Sequence, residues 1–354
     1  MADKILMKGN EALAEAAIRA GCRYFFGYPI TPQTQVAEYM AKKLPKIGGV
    51  YLQSESEVAA INMVMGASAV GARAMTSSSS PGISLKAEGI SYIAGCDLPA
   101  VIVNMQRGGP GLGGIQPAQS DYYQATKGLA HGDFKLIVLA PCGVQEIVDL
   151  MSKAFDLADE YRMPVMILGD GMLGQMMEPI TLPEPVEEDR SKKTWAATGT
   201  DGKRRHNIIN SLYIQPDELE KLVIERYKRY DEVARKETMS ESYLTEDADI
   251  VIAAYGASAR IAKNAIAAAR AEGIKVGLVR PITLWPFPAE AFRAAAKTAK
   301  AFLTVEMSMG QMIDDVKLAI DCAKPVHFFG RTGGVVPTPA EILSELKKIH
   351  GGER

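Results

Sequence analysis

The sequence predicts an α/β protein with two doubly wound domains. Apolar segments of strand length alternate with alanine-rich amphipathic segments from the beginning of the chain, and this alternation resumes near residue 248 after a charged interval. The chain has 354 residues, of which 47% are hydrophobic and 23% are charged. This length and composition suit two ordinary globular domains and argue against a disordered chain.

The first half of the chain predicts a regular series of elements. Asn10 is expected to cap a helix over 11–20 that Gly21 ends, because asparagine favours the N-cap and glycine the position after a helix. Polar residues 77–82 are expected to form a loop. The other expected elements are, in order, strand 24–28, helix 35–43, strand 49–53, helix 58–71, strands 73–76, 100–104 and 136–139, helix 144–161 and strand 164–168. They predict a first domain over residues 1–185.

The second half predicts a linker and then another α/β domain. From residue 181 the chain is rich in proline and acidic side chains at first and strongly charged later, which indicates that residues 186–247 form a linker with a charged, partly exposed helix. A second domain is expected over residues 248–354. Its expected elements are strand 249–255, a long helix from 256, strands 276–279 and 302–305, and helices 289–297 and 339–349.

Charge and cysteine usage narrow the classes of partner. The net charge of −2 offers no basic surface for a phosphate backbone, so no nucleic acid is expected. The first residues contain no apolar core of signal-peptide length and no later apolar stretch is long enough to span a membrane, so we expect a cytoplasmic protein. The four cysteines are widely spaced and the four histidines are isolated, so this chain is predicted to bind neither zinc nor an iron-sulfur cluster.

Two carboxylates, Glu55 and Glu57, lie between an expected strand and an expected apolar helix. They fit simple helix capping, with Ser54 or Ser56 as the N-cap and an acidic side chain favoured by the helix dipole. A metal site is disfavoured because no further aspartate or histidine is close in sequence. The functional alternative is a carboxylate that relays a proton to a ligand from apolar surroundings, which the following helix would supply.

Several motifs in the same order carry a family resemblance. They occupy residues 28–32 (Tyr-Pro-Ile-Thr-Pro), 56–57 (Ser-Glu), 75–82 (Met-Thr-Ser-Ser-Ser-Ser-Pro-Gly), 103–110 (Val-Asn-Met-Gln-Arg-Gly-Gly-Pro) and 278–288. Together they resemble the alpha-type subunit of the 2-oxoacid:ferredoxin oxidoreductases over nearly the whole chain. The resemblance implies a thiamine diphosphate-binding pyrimidine fold for the first domain and a transketolase-C-like fold for the second.

The resemblance implies a role for each matching residue. Glu57 matches the glutamate that bonds N1′ of the cofactor's aminopyrimidine, with Glu55 as its rival. Thr31 matches the threonine beside the thiazolium and the substrate, and Arg107 matches an active-site arginine whose guanidinium suits a 2-oxoacid carboxylate. Glu57, Thr31 and Arg107 are therefore the candidate catalytic residues. The candidate cofactor contacts are Tyr28, Pro29, Ile30, Thr31, Glu57, Ser79 and Ser80.

The glycine-rich loop after residue 107 bears on the substrate. Relatives that use 2-oxoglutarate tend to carry Pro-Ser-Thr-Gly and then Thr-Lys-Thr here, whereas residues 111–117 read Gly-Leu-Gly-Gly-Ile-Gln-Pro and resemble the 2-oxoisovalerate-type subunits. Leu112 and Ile115 offer apolar surface in place of groups that could hold a distal carboxylate. Thr31, Arg107 and Leu112 are the candidate substrate contacts. 2-Oxoglutarate and pyruvate remain alternatives, as does simple packing of this loop against a partner subunit.

The same resemblance implies several partners. Asp170 lies in a Gly-Asp-Gly sequence, but the paired asparagines of a diphosphate and Mg²⁺ motif do not follow it. We therefore expect a beta-type subunit to hold Mg²⁺ and the diphosphate end of a shared thiamine diphosphate. Gamma-type and ferredoxin-like delta-type subunits would hold 4Fe-4S clusters, with coenzyme A as co-substrate and ferredoxin as acceptor. The methionine-rich residues 306–312 are expected at a subunit contact.

Two other functions fit parts of the sequence. The first is a thiamine-dependent dehydrogenase or transketolase-type component, because these enzymes share paired α/β domains and the glutamate. The second is a non-catalytic scaffold subunit that has kept the fold. A dinucleotide site at residues 109–114 is disfavoured, because Pro110 interrupts the glycine pattern and no helix start follows it.

Overall fold

The structure, a computed structural model, describes residues 4–352 and has three sheets within that range. The strands are β1 Ile5–Lys8, β2 Tyr24–Gly27, β3 Val50–Gln53, β4 Ala74–Ser78, β5 Ala100–Gln106, β6 Ile137–Leu139, β7 Pro164–Asp170, β8 Met177–Ile180, β9 Ser240–Tyr243, β10 Ile250–Ala253, β11 Val276–Pro281, β12 Thr283–Trp285, β13 Ala301–Glu306 and β14 Val326–Gly330. The helices are α1 Gly9–Arg19, α2 Thr34–Lys43, α3 Glu57–Ala69, α4 Ser80–Gly95, α5 Tyr122–Thr126, α6 Val144–Tyr161, α7 Gly171–Gln175, α8 Pro216–Lys236, α9 Gly256–Ala271, α10 Ala289–Ala296, α11 Met312–Ala319 and α12 Pro339–Gly351, with short 3₁₀ turns at Leu44–Ile47 and Arg190–Lys192.

The largest sheet has seven strands in the order β12-β6-β7-β5-β4-β2-β3. The six strands from β6 to β3 are parallel, whereas β12 pairs antiparallel with β6 at the edge. Every residue of β5 and β7 is buried, because helices cover both faces of the sheet. Helices α1, α2 and α6 supply one core, and α3 and α4 supply residues to a second. The sequence prediction of a doubly wound α/β fold is confirmed.

The second sheet has five strands in the order β14-β13-β10-β11-β9. Strands β10, β11, β13 and β14 are parallel, and β9 adds an antiparallel edge. Helices α9 and α12 cover one face, and α10 and α11 pack on the other side against residues of the first unit. A separate two-stranded sheet joins β1 to β8.

Two features tie the units together. Gln119 is buried between them: its Nε2 donates to the Tyr255 carbonyl at 2.8 Å, and its Oε1 accepts from Ser258 Oγ at 2.6 Å and Met307 N at 3.1 Å. Strand β12, which lies late in the chain, pairs with β6 of the first sheet. The two halves of the sequence therefore share hydrogen bonds and one continuous sheet.

Two local predictions were wrong. Asn10 does not cap α1, which begins at Gly9; its Nδ2 instead donates to the Pro32 carbonyl at 2.8 Å and to Gln35 Oε1 at 2.9 Å. Residues 77–82 do not form a loop, because β4 extends to Ser78 and α4 begins at Ser80. A proline in the first turn favours a helix start, since its missing N–H would be unpaired there in any case.

The charged interval contains a docked helix. Helix α8 is mostly exposed, yet Arg226 is buried and pairs with Asp97 at 3.0 Å, and Arg229 pairs with the same carboxylate at 2.5 Å. These contacts hold α8 on the end of α4. Within residues 4–352, no helix is both long and apolar enough to cross a membrane. No group of three or more potential metal ligands is found in the same range.

Candidate active site

The candidate residues follow the carboxyl ends of neighbouring parallel strands. Residues 28–32 follow β2, Ser79 and Ser80 follow β4, and Arg107 follows β5. In an open α/β sheet, ligands bind beyond the carboxyl ends of the strands. The topology therefore gathers motifs that are far apart in the sequence at one edge of the sheet.

Glu57 is a buried carboxylate at the beginning of α3. The N-cap is Ser56, whose Oγ accepts from Ala59 N at 3.2 Å, so Ser56 takes the capping role and Glu57 is the first helical residue. Glu57 is 6% exposed, and its carboxylate makes no hydrogen bond or ion pair with any other residue of 4–352. Glu55 is exposed. Because this nearly buried carboxylate is free to accept hydrogen bonds, Glu57 is a candidate ligand contact.

The first turn of α4 lies against Glu57. A Cβ atom on Gly82 would stand 2.8 Å from Glu57 Oε1 and 2.1 Å from Ser78 Oγ, so only glycine fits there. The hydroxyls of Ser78 and Ser79 are buried and have no hydrogen-bond partner within the described chain. Ser77 is different, because its Oγ donates to Gln33 Oε1. The end of β4 thus presents free hydroxyls beside the carboxylate.

Ser80 is tied into a buried polar group. Its backbone N–H donates to Asn104 Oδ1 at 3.1 Å, and its Oγ donates to Asp121 Oδ2 at 2.6 Å. Asn104 Nδ2 donates to the same Asp121 oxygen at 2.9 Å. Burial raises the pKa of Asp121, and these two hydrogen bonds oppose that rise. The predicted ligand contact of Ser80 is therefore already used to join α4 to β5, which the sequence did not reveal.

Arg107 is buried and holds two segments of main chain. Its Nη1 donates to the Thr31 carbonyl at 3.0 Å and its Nη2 to the Leu112 carbonyl at 3.1 Å, while Nε has no partner among residues 4–352. The side chain of Thr31 is exposed, as is that of Leu112 at 83%. The guanidinium therefore fixes the positions of two other candidate residues.

A cleft of about 780 Å³ opens beside Arg107 at the junction of the two units. It is lined by Ser80, Leu85, Arg107, Asp121, Met309 and Gln311, among others. Glu57, Thr31 and Leu112 lie outside this lining, although Glu57 contacts the same first turn of α4 that Ser80 begins. Of the other predicted cofactor contacts, Tyr28 and Pro29 are exposed and Ile30 is half-buried. The structure thus unites Ser80 and Arg107 in one cleft and places Glu57 nearby.

Sequence reasoning missed Lys86. This residue of α4 is fully buried, its Nζ has no hydrogen-bond partner within the described residues, and burial lowers its pKa to about 8 against the opposing charge of Glu57. A signal was present: Lys86 falls on the face formed by Ile83, Ile90 and Ile93, where helical spacing predicts the core.

The Met-rich segment 306–312 is partly buried within the chain. Met307 and Met312 are buried, whereas Met309 is exposed and lines the cleft. Glu306 is buried at the end of β13, and its carboxylate accepts from the backbone of Gln311, Met312 and Ile313 at the N-terminus of α11. Burial raises the pKa of Glu306, and these hydrogen bonds oppose the rise. Most of this segment therefore packs within the chain.

Comparisons with known proteins agree with this arrangement. Residues 15–244 match the family described as "Pyruvate flavodoxin/ferredoxin oxidoreductase, thiamine diP-bdg", and residues 248–342 match "Pyruvate:ferredoxin oxidoreductase core domain II". The chain is 49% identical over 346 residues to the ketoisovalerate oxidoreductase subunit VorB of Methanothermobacter marburgensis, which covers 98% of each chain.

Two further relatives are more distant. The 2-oxoglutarate synthase subunit KorA of Methanothermobacter thermautotrophicus is 38% identical, over 99% of this chain and 100% of its own length. A solved 2-oxoglutarate:ferredoxin oxidoreductase from Magnetococcus marinus, with 2-oxoglutarate, coenzyme A and succinyl-CoA bound, superposes with a TM-score of 0.87 at 29% identity. That match covers 98% of this chain but 65% of the solved chain. The resemblance inferred from the motifs is confirmed, and the chain belongs to the pyruvate flavodoxin/ferredoxin oxidoreductase family as an alpha-type subunit of a 2-oxoacid:ferredoxin oxidoreductase.

Proposed function

We propose that this chain carries the carboxylate that activates thiamine diphosphate in a coenzyme A-acylating 2-oxoacid:ferredoxin oxidoreductase. The complex would convert a 2-oxoacid and coenzyme A to an acyl-CoA and CO₂, with electrons passed to ferredoxin. The observation that carries the proposal is Glu57, which is 6% exposed at the beginning of α3 and has no partner for its carboxylate within residues 4–352.

The residues around Glu57 suit the aminopyrimidine end of the cofactor. The carboxylate is free to accept a hydrogen bond, and the buried hydroxyls of Ser78 and Ser79 lack partners within the described chain. The glycine at position 82 leaves Glu57 room that any other residue would fill. Tyr28, Pro29, Ile30 and Thr31 would form the outer wall of this site. Ser80 would act indirectly, through its bonds to Asp121 and Asn104.

Asp170, the candidate for holding the diphosphate end within residues 4–352, has another role. Oδ1 of Asp170 accepts from the backbone of Met172 at 2.8 Å and Leu173 at 3.2 Å, so this carboxylate is already used as a helix cap. Burial raises the pKa of Asp170 to about 6, and its backbone hydrogen bonds oppose that rise. We therefore assign Mg²⁺ and the diphosphate to a beta-type subunit.

The surface beside Glu57 favours coverage by that subunit. Val58 in α3 and Leu85 in α4 are 45% and 55% exposed, and Met65 is half-exposed on the same side of α3. A helix with apolar residues all round is normally buried, so this face needs a cover in the assembled enzyme. The beta-type subunit fits, because it must reach the other end of a cofactor that begins at Glu57.

Electrons must leave through other subunits. The cysteines do not lie together: Cys22 and Cys96 are buried, Cys142 is half-buried and Cys322 is exposed, and residues 4–352 contain no group of three or more potential metal ligands. We assign the 4Fe-4S clusters to gamma-type and ferredoxin-like delta-type subunits, which would reduce ferredoxin. We place the assembled complex in the cytoplasm.

The chemistry divides between the cofactor and the chain. Thiamine diphosphate, when bound, supplies the electron sink that decarboxylation of a 2-oxoacid requires. Glu57 would exchange a proton with the aminopyrimidine from a site that excludes water. Arg107 would hold Thr31 and the loop at Leu112 in place, and its free Nε would remain to bond the substrate carboxylate or the loop.

The favoured substrate is 2-oxoisovalerate or another branched-chain 2-oxoacid. The relative named for ketoisovalerate is 49% identical to this chain, against 38% for the one named for 2-oxoglutarate. Leu112 and Ile115 are 83% and 57% exposed on the loop that Arg107 holds, so their apolar side chains are available to a substrate or a partner. A panel of 2-oxoisovalerate, pyruvate and 2-oxoglutarate would test this: the branched acid should give the highest kcat/KM, and a higher value for either other acid would overturn the assignment.

The central experiment compares two neighbouring glutamates in the reconstituted complex. Glu57→Gln should lower coenzyme A-dependent reduction of a low-potential viologen by about 10²- to 10⁴-fold, the range typical of a lost acid–base group. Glu55→Gln is the matched control, because Glu55 is exposed two residues away. Undiminished turnover by Glu57→Gln, or an equal loss by both variants, would refute the assignment. A wild-type complex without bound thiamine diphosphate would favour the scaffold function instead.

A further inference from the structure

Lys86 is a buried cation without a direct partner. It is fully buried in the middle of α4, and its Nζ forms no hydrogen bond within residues 4–352. A buried ammonium group without a partner is strongly unfavourable, because it loses its hydration and gains nothing in return. Helix α4 would pack more stably with an apolar residue here, so a packing role does not account for lysine.

The geometry directs Lys86 toward Glu57. Lys86 and Gly82 are four residues apart in α4 and therefore lie on the same face of the helix. Long side chains in a helix extend toward its N-terminus, which takes the Lys86 side chain over the turn that contains Gly82. Glu57 Oε1 lies 2.8 Å from the Cβ position of that same glycine. The ammonium group of Lys86 in α4 and the carboxylate of Glu57 in α3 are thus both directed toward the turn of α4 that contains Gly82.

Glu57 is also the charge that acts on Lys86. Helix α4 packs against α3, β5 and β7. The ionisable side chains of these elements are Glu57 in α3 and Asp170 at the end of β7, with Glu88 and Tyr92 on α4 itself. Burial lowers the pKa of Lys86 to about 8, and the opposing effect comes from Glu57. Near neutral pH the lysine therefore carries a positive charge for most of the time.

We propose that Lys86 is a positioning residue whose buried ammonium group compensates the charge of the Glu57 carboxylate and so sets the pH range in which the complex is active. The proposal rests on the proposed function, because it assigns Glu57 the proton exchange with the cofactor. Lys86 touches neither substrate nor cofactor in this role. It acts from inside the subunit, on the carboxylate alone.

The test uses the reconstituted complex and two readouts. Lys86→Met keeps the length of the side chain and removes its charge, Lys86→Arg keeps a charge, and Lys297→Met removes an exposed charge as the control. The first readout is the pH dependence of kcat. The second is proton uptake or release on binding thiamine diphosphate, measured by calorimetry in buffers of different ionisation enthalpy, which does not depend on turnover.

Lys86→Met should move the acidic midpoint of the kcat profile upward by about one pH unit, because the negative charge in the site then has no nearby cation to compensate it. It should also change the proton count on cofactor binding, whereas Lys86→Arg and Lys297→Met should leave both near the wild-type values. In a Glu57→Gln background, Lys86→Met should cause no further change. If Lys86→Met does not assemble, Lys86→Gln carries the same expectations.

The outcomes separate this inference from the proposed function. An unchanged midpoint and proton count in Lys86→Met, or a shift that persists in the Glu57→Gln background, would overturn the role of Lys86. The proposed function would survive that result as long as Glu57→Gln alone abolishes turnover. Conversely, full activity in Glu57→Gln would refute the proposed function whatever Lys86→Met does.

Discussion

Glu57 and Gly82 pack so closely that a methyl group added to Gly82 would collide with the Glu57 carboxylate. The distance from Glu57 Oε1 to the Cβ position of Gly82 is 2.8 Å, and Ser78 Oγ is closer still on the other side. The helix that carries Gly82 therefore limits where the carboxylate can lie. The geometry of the site therefore depends on the lack of a side chain at Gly82 as well as on the carboxylate of Glu57.

Gly82→Ala should displace Glu57 or move α4. Overpacking at a buried position costs about 1–3 kcal/mol, and a carboxylate that is misplaced by about 1 Å should lower kcat by about 100-fold. Steady-state kinetics and cofactor occupancy of the complex would measure both effects. Gly128→Ala is the control, because a Cβ there would meet nothing within 4 Å. Equal kinetics for the two variants would contradict the close fit.

Arg107→Lys should loosen the loop at Leu112. One ammonium group cannot reproduce the fork that reaches the Thr31 and Leu112 carbonyls at 3.0 and 3.1 Å. We expect the KM for the 2-oxoacid to rise about tenfold, with a smaller change in kcat, since the loss of one charged hydrogen bond is worth about 1.5–3 kcal/mol. Arg293→Lys, at an exposed site, should behave as wild type. An unchanged KM would show that the loop does not depend on this fork.

Lys86→Met should raise the melting temperature Tm of the complex near pH 7. Because the pKa of the folded-state lysine is lowered from 10.5 to about 8, its charge costs roughly 3 kcal/mol below pH 8. Between about pH 8 and 10.5 the unfolded chain binds more protons than the folded chain, so the wild type gains stability relative to the variant as the pH rises. The gain in Tm should therefore shrink between about pH 8 and 10.5. A lower Tm for the variant at pH 7 would contradict this expectation.

Gln119→Leu should weaken the junction between the two units. It leaves the Met307 N–H and the Ser258 hydroxyl buried without their acceptor, and each unpaired group costs about 1–3 kcal/mol. Ser258→Ala, which removes a single bond to the same amide, should cost about 1 kcal/mol. Thermal unfolding at a fixed concentration of the complex would rank the two variants. A smaller loss for Gln119→Leu than for Ser258→Ala would be inconsistent with this network.

Much of the fold could be predicted because its signals are local. The apolar runs of β5 and β7 and the strong amphipathic period of α6 appear directly in the sequence, and α6 occupies the predicted residues 144–161. Helix α4 was missed because Gly82 and Gly89 weaken its helical propensity. Both glycines are required by tertiary contacts, since a Cβ on Gly89 would collide with Ile61.

The sequence offered candidate site residues but not their contacts. The motifs predicted roles for Glu57 and Arg107, and the structure shows that both side chains are buried. Arg107 donates hydrogen bonds to the Thr31 and Leu112 carbonyls. The sequence could not predict these bonds, because both acceptors are main-chain atoms, which every residue has. The prediction that Asn10 caps α1 was wrong for a similar reason. Its side chain donates to the main-chain carbonyl of Pro32, a distant residue that the local sequence does not indicate.

Strand β12 makes the order of synthesis matter. Residues 283–285 complete the edge of a sheet whose other strands are all finished by residue 170. Until that late segment emerges, β6 presents an open row of N–H and C=O groups that another nascent chain could join. A fragment ending in the charged interval should self-associate for this reason, whereas two fragments divided there should reassemble when they are produced together.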